Sequence, residues 1–234
     1  MNGPVPDSLA ALLAGAHAVA FDFDGVIVES VEVKTRAFLE LFADRPDLHD
    51  AIRRHHLEHL GRSRYEKLSW IHRELLGDPL DPARLEKLAE RFSALVFEAT
   101  VACPEVPGAR ATLEALARAS VPAFVASGTP EDELRAIIER RGLAGHFAGA
   151  WGSPTPKTQI LWRILAERAL RPEELIYVGD GLSDHRAAWE VGVPFILRET
   201  PDQAGFVAGL PAWCVGDLSS LPELFSNRAA EVKA

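Results

Sequence analysis

Two carboxylates and a glycine follow the first apolar run of the sequence. Ala18-Val-Ala-Phe21 leads into Asp22, and Asp24 and Gly25 follow within three positions. Such a run is typical of a strand buried on both faces, as in a parallel sheet. Side chains alternate along a strand, so Asp22 and Asp24 start on one side, at the carboxyl end where open α/β sheets bind ligands. Gly25 lets the backbone turn and a substrate approach.

Adjacent carboxylates repel each other, and the pair therefore needs a chemical reason. A hard divalent cation would supply one, and so would a division of labour between a nucleophile and a proton donor. The alternative is an ordinary turn, since Asp and Gly are common turn residues.

Three more polar signals follow apolar segments or begin a helix. They are Ser127-Gly128-Thr129, Lys157, and Asp180 with Asp184. If the strands share one parallel sheet, all these groups converge on one rim. Hydroxyls and helix N-terminal N–H groups bind phosphate oxygens, a lysine adds positive charge, and clustered carboxylates suit Mg²⁺. The joint pattern predicts phosphoryl transfer, although each signal alone could be a helix cap, a solvated lysine or a tight turn.

The elements that position these residues fall into two kinds. Residues 29–103 show helical periodicity and no convincing strand, whereas the chain after Pro104 alternates helices with short apolar strands. Strands are predicted over 121–126, 147–151, 175–178, 193–197 and 213–215. The alternation predicts an α/β fold, a Rossmann-like doubly wound parallel sheet with an inserted all-α unit.

The composition excludes several classes of function. The 234 residues carry a net charge of -9 and are 47% hydrophobic, which disfavours nucleic acid or an acidic membrane as a partner. Cys103 and Cys214 match no metal or redox spacing. The sequence shows no membrane span and no basic secretory start, so we expect a cytoplasmic protein.

The motifs Asp22-Phe-Asp24-Gly-Val, Ser127-Gly-Thr, Lys157 and Gly179-Asp180-Gly-Leu-Ser-Asp184 together resemble those of the haloacid dehalogenase superfamily. The resemblance is to the phosphohydrolases with a helical cap, of the phosphoglycolate phosphatase and β-phosphoglucomutase type. It implies an α/β core formed by residues 1–28 and 104–234. It also implies a helical cap formed by residues 29–103.

The resemblance implies a role for each motif residue. Asp22 would be the nucleophile that forms an aspartyl-phosphate. Asp24 would protonate the leaving oxygen and then activate water, and Lys157 would neutralise Asp22 and the phosphate. The phosphate-binding residues would be Ser127, Gly128, Thr129 and Gly25, and the Mg²⁺ ligands would be Asp22, Asp24, Asp180 and Asp184, the last directly or through an intervening group.

The predicted cap contains a local surplus of positive charge. Residues 51–75 hold six Arg and Lys residues against three Glu residues. Arg64 and Lys67 are therefore candidates to bind substrate, within or just after a loop at 61–64 that would reach into the cleft. Solvated helix faces with ion pairs are the alternative. A zinc site at His55, His56 and His59 is disfavoured because no Cys or acid completes it.

These inferences favour a magnesium-dependent phosphatase of a small phosphorylated metabolite, such as phosphoglycolate or a sugar phosphate. It would act as a monomer or homodimer. A second acid at Asp24 favours phosphate esters over carbon–halogen bonds, because halide leaves without a proton. Phosphonate cleavage, for which Lys34 or Lys67 could form an imine, is disfavoured by the same motif.

Two alternatives stay open at this point. They are a phosphomutase of the β-phosphoglucomutase type and a catalytically silent metabolite-binding protein. The five tryptophans are expected to pack in the core or at the hinge.

Overall fold

A computed structural model describes residues 8–210 and 212–225. The residues around them, including the tail predicted at 1–7, lie outside the described part. Six parallel strands form one sheet in the order β3-β2-β1-β4-β5-β6. They are β1 (Ala18–Phe21), β2 (Ala123–Pro130), β3 (Phe147–Ser153), β4 (Leu175–Gly179), β5 (Phe195–Arg198) and β6 (Trp213–Val215).

The predicted α/β fold is confirmed, and β2 is the strand that extends furthest beyond its predicted end. β2 continues to Pro130, so Ser127, Gly128 and Thr129 belong to the strand instead of following it. Its pairing with β3 shifts register between Ala126 and Pro130, which marks where the strand becomes irregular.

Helices cover both faces of the sheet and fill the interval between β1 and β2. In chain order they are α1 (Leu9–Ala14), α2 (Val31–Leu41), α3 (His49–Glu58), α4 (Arg64–Trp70), α5 (Pro82–Ala102), α6 (Ala109–Arg118), α7 (Glu131–Arg140), α8 (Lys157–Arg168), α9 (Leu182–Val191) and α10 (Ala204–Val207). A π-helical turn at Ile71–Leu75 extends α4, and residues 221–225 are helical.

Alternation along the strands divides the core into two layers. Val19 and Phe21 of β1 pack with α1, α6 and α7, whereas Ala18 and Ala20 pack with α8 and α9. Because both faces are covered, β1 is buried along its whole length. The central position of β1 places Asp22 in the middle of the sheet's carboxyl edge.

The helices α2 to α5 have a hydrophobic core of their own. Its largest members are Phe38, Phe42 and Phe92, and it is separate from the two sheet layers. Residues 31–102 contain no strand. The structure thus shows a helical unit inserted after β1, while the domain boundaries at 28/29 and 103/104 stay a prediction.

The chain enters and leaves the helical unit through two adjacent segments. Val28 and Glu105 form an antiparallel bridge, and Glu29 N–H donates to the Pro104 carbonyl at 2.9 Å. The buried Arg198, at the end of β5, donates to both Glu29 carboxylate oxygens at 2.8 and 3.1 Å and to the Gly25 carbonyl at 3.2 Å. The Arg198 guanidinium therefore anchors the segment that leads from β1 into the helical unit.

Two expectations of buried aromatic packing are wrong. Trp162 is 50% exposed on α8 and Trp189 is 64% exposed on α9, because both lie on the outward faces of helices that already cover the sheet. Trp151, in contrast, is buried. Within the described residues, no helix combines the length and the apolar character needed to span a membrane.

We expect Arg198→Met to destabilise the protein by about 1–3 kcal/mol, because it strands the Glu29 carboxylate and the Gly25 carbonyl without their donor. Urea unfolding followed by circular dichroism measures the change. Arg118→Met is the control, because Arg118 is an exposed arginine whose ion pair is with Glu114, one turn away on α6. Equal stability of the two variants would contradict the anchoring role.

Candidate active site

The end of β1 brings a buried carboxylate against a buried lysine. Asp22 follows Phe21 directly, and its Oδ2 accepts a hydrogen bond from Lys157 Nζ at 2.7 Å. Lys157 is the first residue of α8 and also donates to Asp184 Oδ1 at 2.5 Å. Burial raises the pKa of Asp22 to about 7, with a further rise from Asp184 and Asp24 and an opposing effect from Lys157. Burial lowers the pKa of Lys157, but the charges of Asp184 and Asp22 outweigh it and raise the pKa.

The loop after β4 adds two more buried carboxylates. Asp184, on the first turn of α9, accepts from Lys157 and from the Tyr177 hydroxyl at Oδ1, and from the Gly181 N–H at Oδ2. Asp180 Oδ2 accepts from the Gln203 side chain at 3.1 Å, while Asp180 Oδ1 is buried and has no hydrogen-bond partner among the described residues. Burial and the neighbouring acids raise the pKa of Asp180 well above its ordinary value.

These carboxylates meet the requirements of a divalent cation site. Oxygen atoms of Asp22, Asp180 and Asp184 lie within 4.8 Å of one another, and all three side chains are buried. A single lysine opposes their charge at hydrogen-bonding distance, and Asp180 Oδ1 is free to accept a ligand. A hard cation with oxygen ligands fits this donor set.

Asp24 lies in a different environment from Asp22. Its Oδ1 accepts from the Ser30 hydroxyl at 2.6 Å, and its Oδ2 accepts from Lys34 Nζ at 2.5 Å and from the Thr129 hydroxyl at 2.8 Å. Burial raises the pKa of Asp24, but the Lys34 charge and the hydrogen bonds from Lys34, Ser30 and Thr129 outweigh it and hold the pKa at about 2. Asp24 is therefore a carboxylate at neutral pH.

The irregular end of β2 brings the Thr129 hydroxyl to Asp24, and Ser127 lies two residues before it. Ser127 is buried, and its Oγ accepts from the Thr129 N–H at 3.2 Å. Gly128 lies under the loop between α3 and α4, where a Cβ would come within 2.5 Å of the Gly61 carbonyl oxygen. Gly61 lies equally close to Lys157, since a Cβ there would meet Lys157 Nζ at 2.7 Å. The loop predicted to reach into the cleft thus contacts the core site directly.

Gly25 is close to the site without lining the cleft. It has a φ of 74°, and a Cβ there would lie 2.1 Å from Asp180 Oδ2. Only glycine permits this approach, because the backbone packs directly on the carboxylate. The structure therefore places Gly25 against Asp180, and its contact with phosphate stays a prediction.

The two predicted cap ligands have different partners. Arg64 is buried and its guanidinium is paired with Glu133 of α7 at 2.5 and 2.8 Å, with Ser93 of α5 beside it. Lys67 is buried too, but its Nζ contacts His56, at Nδ1 (2.9 Å) and at the carbonyl oxygen (3.4 Å). Burial lowers the pKa of Lys67 to about 7, and Lys34 adds to the effect. Lys67 is thus the cleft cation with a neutral partner.

The cleft between the helical unit and the sheet edge is narrow. It has a free volume of about 30 Å³, room for roughly two water molecules. The Ser183 hydroxyl donates to the Leu60 carbonyl at 2.7 Å across its rim. The lining residues are Asp22, Asp24, Val31, Lys34, Phe38, His56, Leu60, Gly61, Arg62, Arg64, Lys67, Phe92, Gly128, Thr129 and Asp180. A small free volume of this kind would have to widen to admit a substrate.

Most of the positive charge in residues 51–75 has a carboxylate partner. Arg53 pairs with Glu32, Arg62 with Glu66 and Arg73 with Glu74, all on exposed surface. The histidines pack as ordinary helix residues, with His55 stacked on Trp70 at 3.6 Å. Among the described residues, Asp22, Asp180 and Asp184 form the one cluster arranged to hold a metal.

Sequence reasoning missed several residues of the site. Tyr177 reads as a core aromatic of β4, Ser30 as an ordinary residue before α2, and Gln203 as part of a polar loop. The sequence suggests for Lys34 only an imine-forming role, and gives no sign of its contact with Asp24. Their chain positions carry no motif, and only tertiary packing brings them to the acids.

The sequence of this chain is similar to those of known proteins. A sequence model described as haloacid dehalogenase-like hydrolase matches residues 16–192. The chain is 26% identical over 211 residues to a phosphoglycolate phosphatase of Synechococcus elongatus, with 88% of this chain and 95% of that protein aligned. It is 27% identical over 208 residues to a phosphoglycolate phosphatase of Rhodospirillum rubrum, with 86% of each aligned.

Solved structures share the fold. A mutant form of CbbY from Rhodobacter sphaeroides, in complex with xylulose-(1,5)bisphosphate, superposes with a TM-score of 0.69 at 22% identity, covering 88% of this chain and 96% of that one. A β-phosphoglucomutase from Clostridium difficile gives a TM-score of 0.69 at 15% identity, covering 93% and 99%. At these identities the likeness concerns the fold alone.

We expect Asp180→Asn to stabilise the metal-free protein at pH 8 by about 1–3 kcal/mol, because it removes a buried charge with no cationic partner. An acid with a raised folded-state pKa binds its proton more tightly in the folded state. The wild type therefore loses stability as pH rises above about 4, the ordinary range of a carboxyl. The variant should lose less stability over the same interval.

Denaturant unfolding in excess chelator at pH 5 and pH 8 measures this difference. Asp44→Asn, an exposed acid of the helical unit, is the control and should change neither value. A destabilised Asp180→Asn protein at pH 8 would show that the buried charge is compensated in a way that these contacts do not reveal.

Proposed function

Because the chain belongs to the haloacid dehalogenase-like hydrolase family and is a phosphoric monoester hydrolase, we propose that it hydrolyses a small phosphorylated metabolite with Mg²⁺ as cofactor. The observation that supports this most directly is the contrast between Asp22 and Asp24. One is held by Lys157 among the clustered acids, and the other by two hydroxyls and Lys34. Two carboxylates in such different surroundings suit two different tasks.

In the proposed first step, a carboxylate oxygen of Asp22 attacks the phosphorus of the substrate. The bond from phosphorus to the leaving oxygen breaks, and that oxygen takes a proton from Asp24. The Ser127 and Thr129 groups and Lys157 would hold the phosphoryl oxygens, so that charge on the transferring group is met by donors already in place. The product is an aspartyl-phosphate at Asp22 and a free alcohol.

In the second step, a water molecule gives its proton to Asp24 and attacks the phosphorus. The bond to Asp22 breaks, which releases inorganic phosphate and restores the carboxylate. The ionised Asp24 of the closed structure suits this step. For the first step Asp24 must carry a proton, which requires Lys34 to turn away from it, for instance toward an anionic substrate.

The residues proposed to hold Mg²⁺ are Asp22 and Asp180, with the Asp24 backbone carbonyl. When bound, the ion would offset the charge of the buried acids and of the phosphoryl group. Asp184 is the third acid of the cluster, with one oxygen held by Lys157 and Tyr177 and the other by the Gly181 N–H, and it would support the ion directly or through Lys157. Asp180 Oδ1 has no hydrogen-bond partner among the described residues.

Lys67 supports a substrate with a second anionic group. It is the buried cleft cation without a carboxylate within ion-pair distance among the described residues, since its Nζ contacts His56. A carboxylate on the leaving group would satisfy it. We therefore propose a phosphoglycolate-type ester, in agreement with the names of the aligned relatives.

The helical unit, residues 29–103, is proposed to act as a cap that opens for substrate. The cleft has a free volume of about 30 Å³, so an opening movement would make room for a phosphate ester. A phosphomutase of the β-phosphoglucomutase type is the alternative, because a closing cap also excludes water. The silent binding protein is not supported, since the chain belongs to a hydrolase family.

We expect purified protein with Mg²⁺ to release inorganic phosphate from phosphoglycolate. Asp22→Asn should lower kcat by about 10³-fold or more, because the amide cannot act as the nucleophile. Phosphate release measured with and without excess chelator tests both the nucleophile and the ion. Undiminished activity of the variant would overturn the mechanism, and conversion of a sugar 1-phosphate to the 6-phosphate without phosphate release would favour the mutase.

We expect Lys67→Met to raise the KM for phosphoglycolate by about tenfold or more, because a charge-assisted hydrogen bond to the carboxylate is lost. The KM for ethyl phosphate, which lacks that carboxylate, should stay within about twofold. Lys67 loses its proton as pH rises through about 7. The ratio of the KM for phosphoglycolate to that for ethyl phosphate should therefore rise above that pH in the wild type and stay flat in the variant.

Lys87→Met is the matched control, since Lys87 is an exposed lysine of α5. If Lys67→Met impairs both esters equally, the lysine does not recognise the leaving group.

A further inference from the structure

We propose that Gln203 is the positioning residue that fixes Asp180, so that one carboxylate oxygen of Asp180 is presented to the cation. The inference rests on the proposed function, because it assumes that the acid cluster binds Mg²⁺. It adds a residue from the loop after β5 that no motif of the sequence indicated.

The Gln203 amide has an orientation that its neighbours determine. Gln203 is buried, its Oε1 accepts from the Thr200 N–H at 3.2 Å, and its Nε2 donates to Asp180 Oδ2 at 3.1 Å. A backbone N–H can only donate, so the amide oxygen must face Thr200. The NH₂ group must then face Asp180.

Two neighbours contact the same oxygen of the Asp180 carboxylate, Oδ2. Gln203 donates to Oδ2, and the Gly25 backbone is packed so closely that a Cβ would lie 2.1 Å from that atom. The other oxygen, Oδ1, is buried and has no partner among the described residues. A carboxylate held at one oxygen by a donor offers the other oxygen to a ligand.

The chemistry of the donor matters as much as its position. Asp22 and Asp184 share Lys157, whose charge opposes cation binding at those oxygens. Gln203 is neutral, so it orients Asp180 without placing a positive charge beside the cation site. Outer partners that orient metal ligands in this way commonly change metal affinity by about 10–100-fold when they are removed.

The loop that carries Gln203 is itself anchored next to the site. Gln203 N–H donates to the Thr200 carbonyl at 3.0 Å, and Phe206 N–H donates to the Gln203 carbonyl at 2.7 Å. Arg198, at the start of the same loop, donates to the Gly25 carbonyl. One short segment thus positions both the turn after Asp24 and the carboxylate of Asp180.

Two substitutions separate the hydrogen bond that Gln203 donates to Asp180 from the one that it accepts from the Thr200 N–H, which we call the loop brace. Gln203→Leu removes both hydrogen bonds at similar volume. Gln203→Glu keeps an oxygen for the Thr200 N–H and places the other oxygen against Asp180. Asp202→Asn, at the exposed neighbouring position of the same loop, is the matched control.

The measurement is binding of Mn²⁺, as a probe for Mg²⁺, to the substrate-free full chain, with the free ion counted by electron paramagnetic resonance. We expect one ion per wild-type chain, displaced by Mg²⁺, and a Kd raised by about 10–100-fold in both Gln203 variants. Asp202→Asn should bind as the wild type does. At saturating Mg²⁺ the kcat of Gln203→Leu should recover to within about threefold of wild type, because a positioning residue takes no part in the chemical step.

Wild-type affinity in both variants would overturn the inference and leave the proposed phosphatase intact. Weakened binding in Gln203→Leu alone would also overturn it, because the loop brace and not the donor would then be responsible. A wild type that binds no ion yet releases phosphate in chelator would overturn the metal dependence of the proposed function, and this inference with it.

Discussion

The structure around the site depends on the repulsion among buried carboxylates. Asp22, Asp180 and Asp184 lie together at the carboxyl edge of the sheet, and Lys157 meets two of them at hydrogen-bonding distance. Such a cluster costs folding free energy, as the raised pKa values of Asp22 and Asp180 reflect. The apolar layers on both faces of the sheet must offset that cost. A phosphatase site of this kind is therefore made at the expense of stability in its metal-free form.

The helical unit determines how the site is used. Its Lys34 donates a hydrogen bond to Asp24. Its Lys67 and His56 line the cleft, and its Gly61 packs against Lys157. The buried Arg64–Glu133 pair and the exposed Arg140–Glu98 pair join it to α7. In the proposed opening movement, this buried pair would break or α7 would move with the helical unit. The contact between the helical unit and the core is thus a specific polar one as well as apolar packing.

Much of the fold could be predicted from the sequence because it depends on local patterns. The apolar run before Asp22, the alternation of helices and strands after Pro104, and the helical periodicity of 31–102 all correspond to elements of the structure. The misjudged features are those that depend on neighbours. β2 is longer because its end pairs with β3 at a shifted register, and Trp162 and Trp189 are exposed because their helices form the outermost layer.

For the site, the sequence by itself predicted which polar residues lie near one another, because a parallel sheet places the carboxyl ends of its strands on one edge. Asp22, Asp24, Ser127, Thr129, Lys157, Asp180 and Asp184 converge for that reason. Only the tertiary structure decided their partners. Lys34, Tyr177, Arg198 and Gln203 reach the site from segments far apart in the chain, and Arg64 is taken up by Glu133. Spacing along one segment carries no information about such contacts, whereas burial forces each polar group to find a partner wherever the fold supplies one.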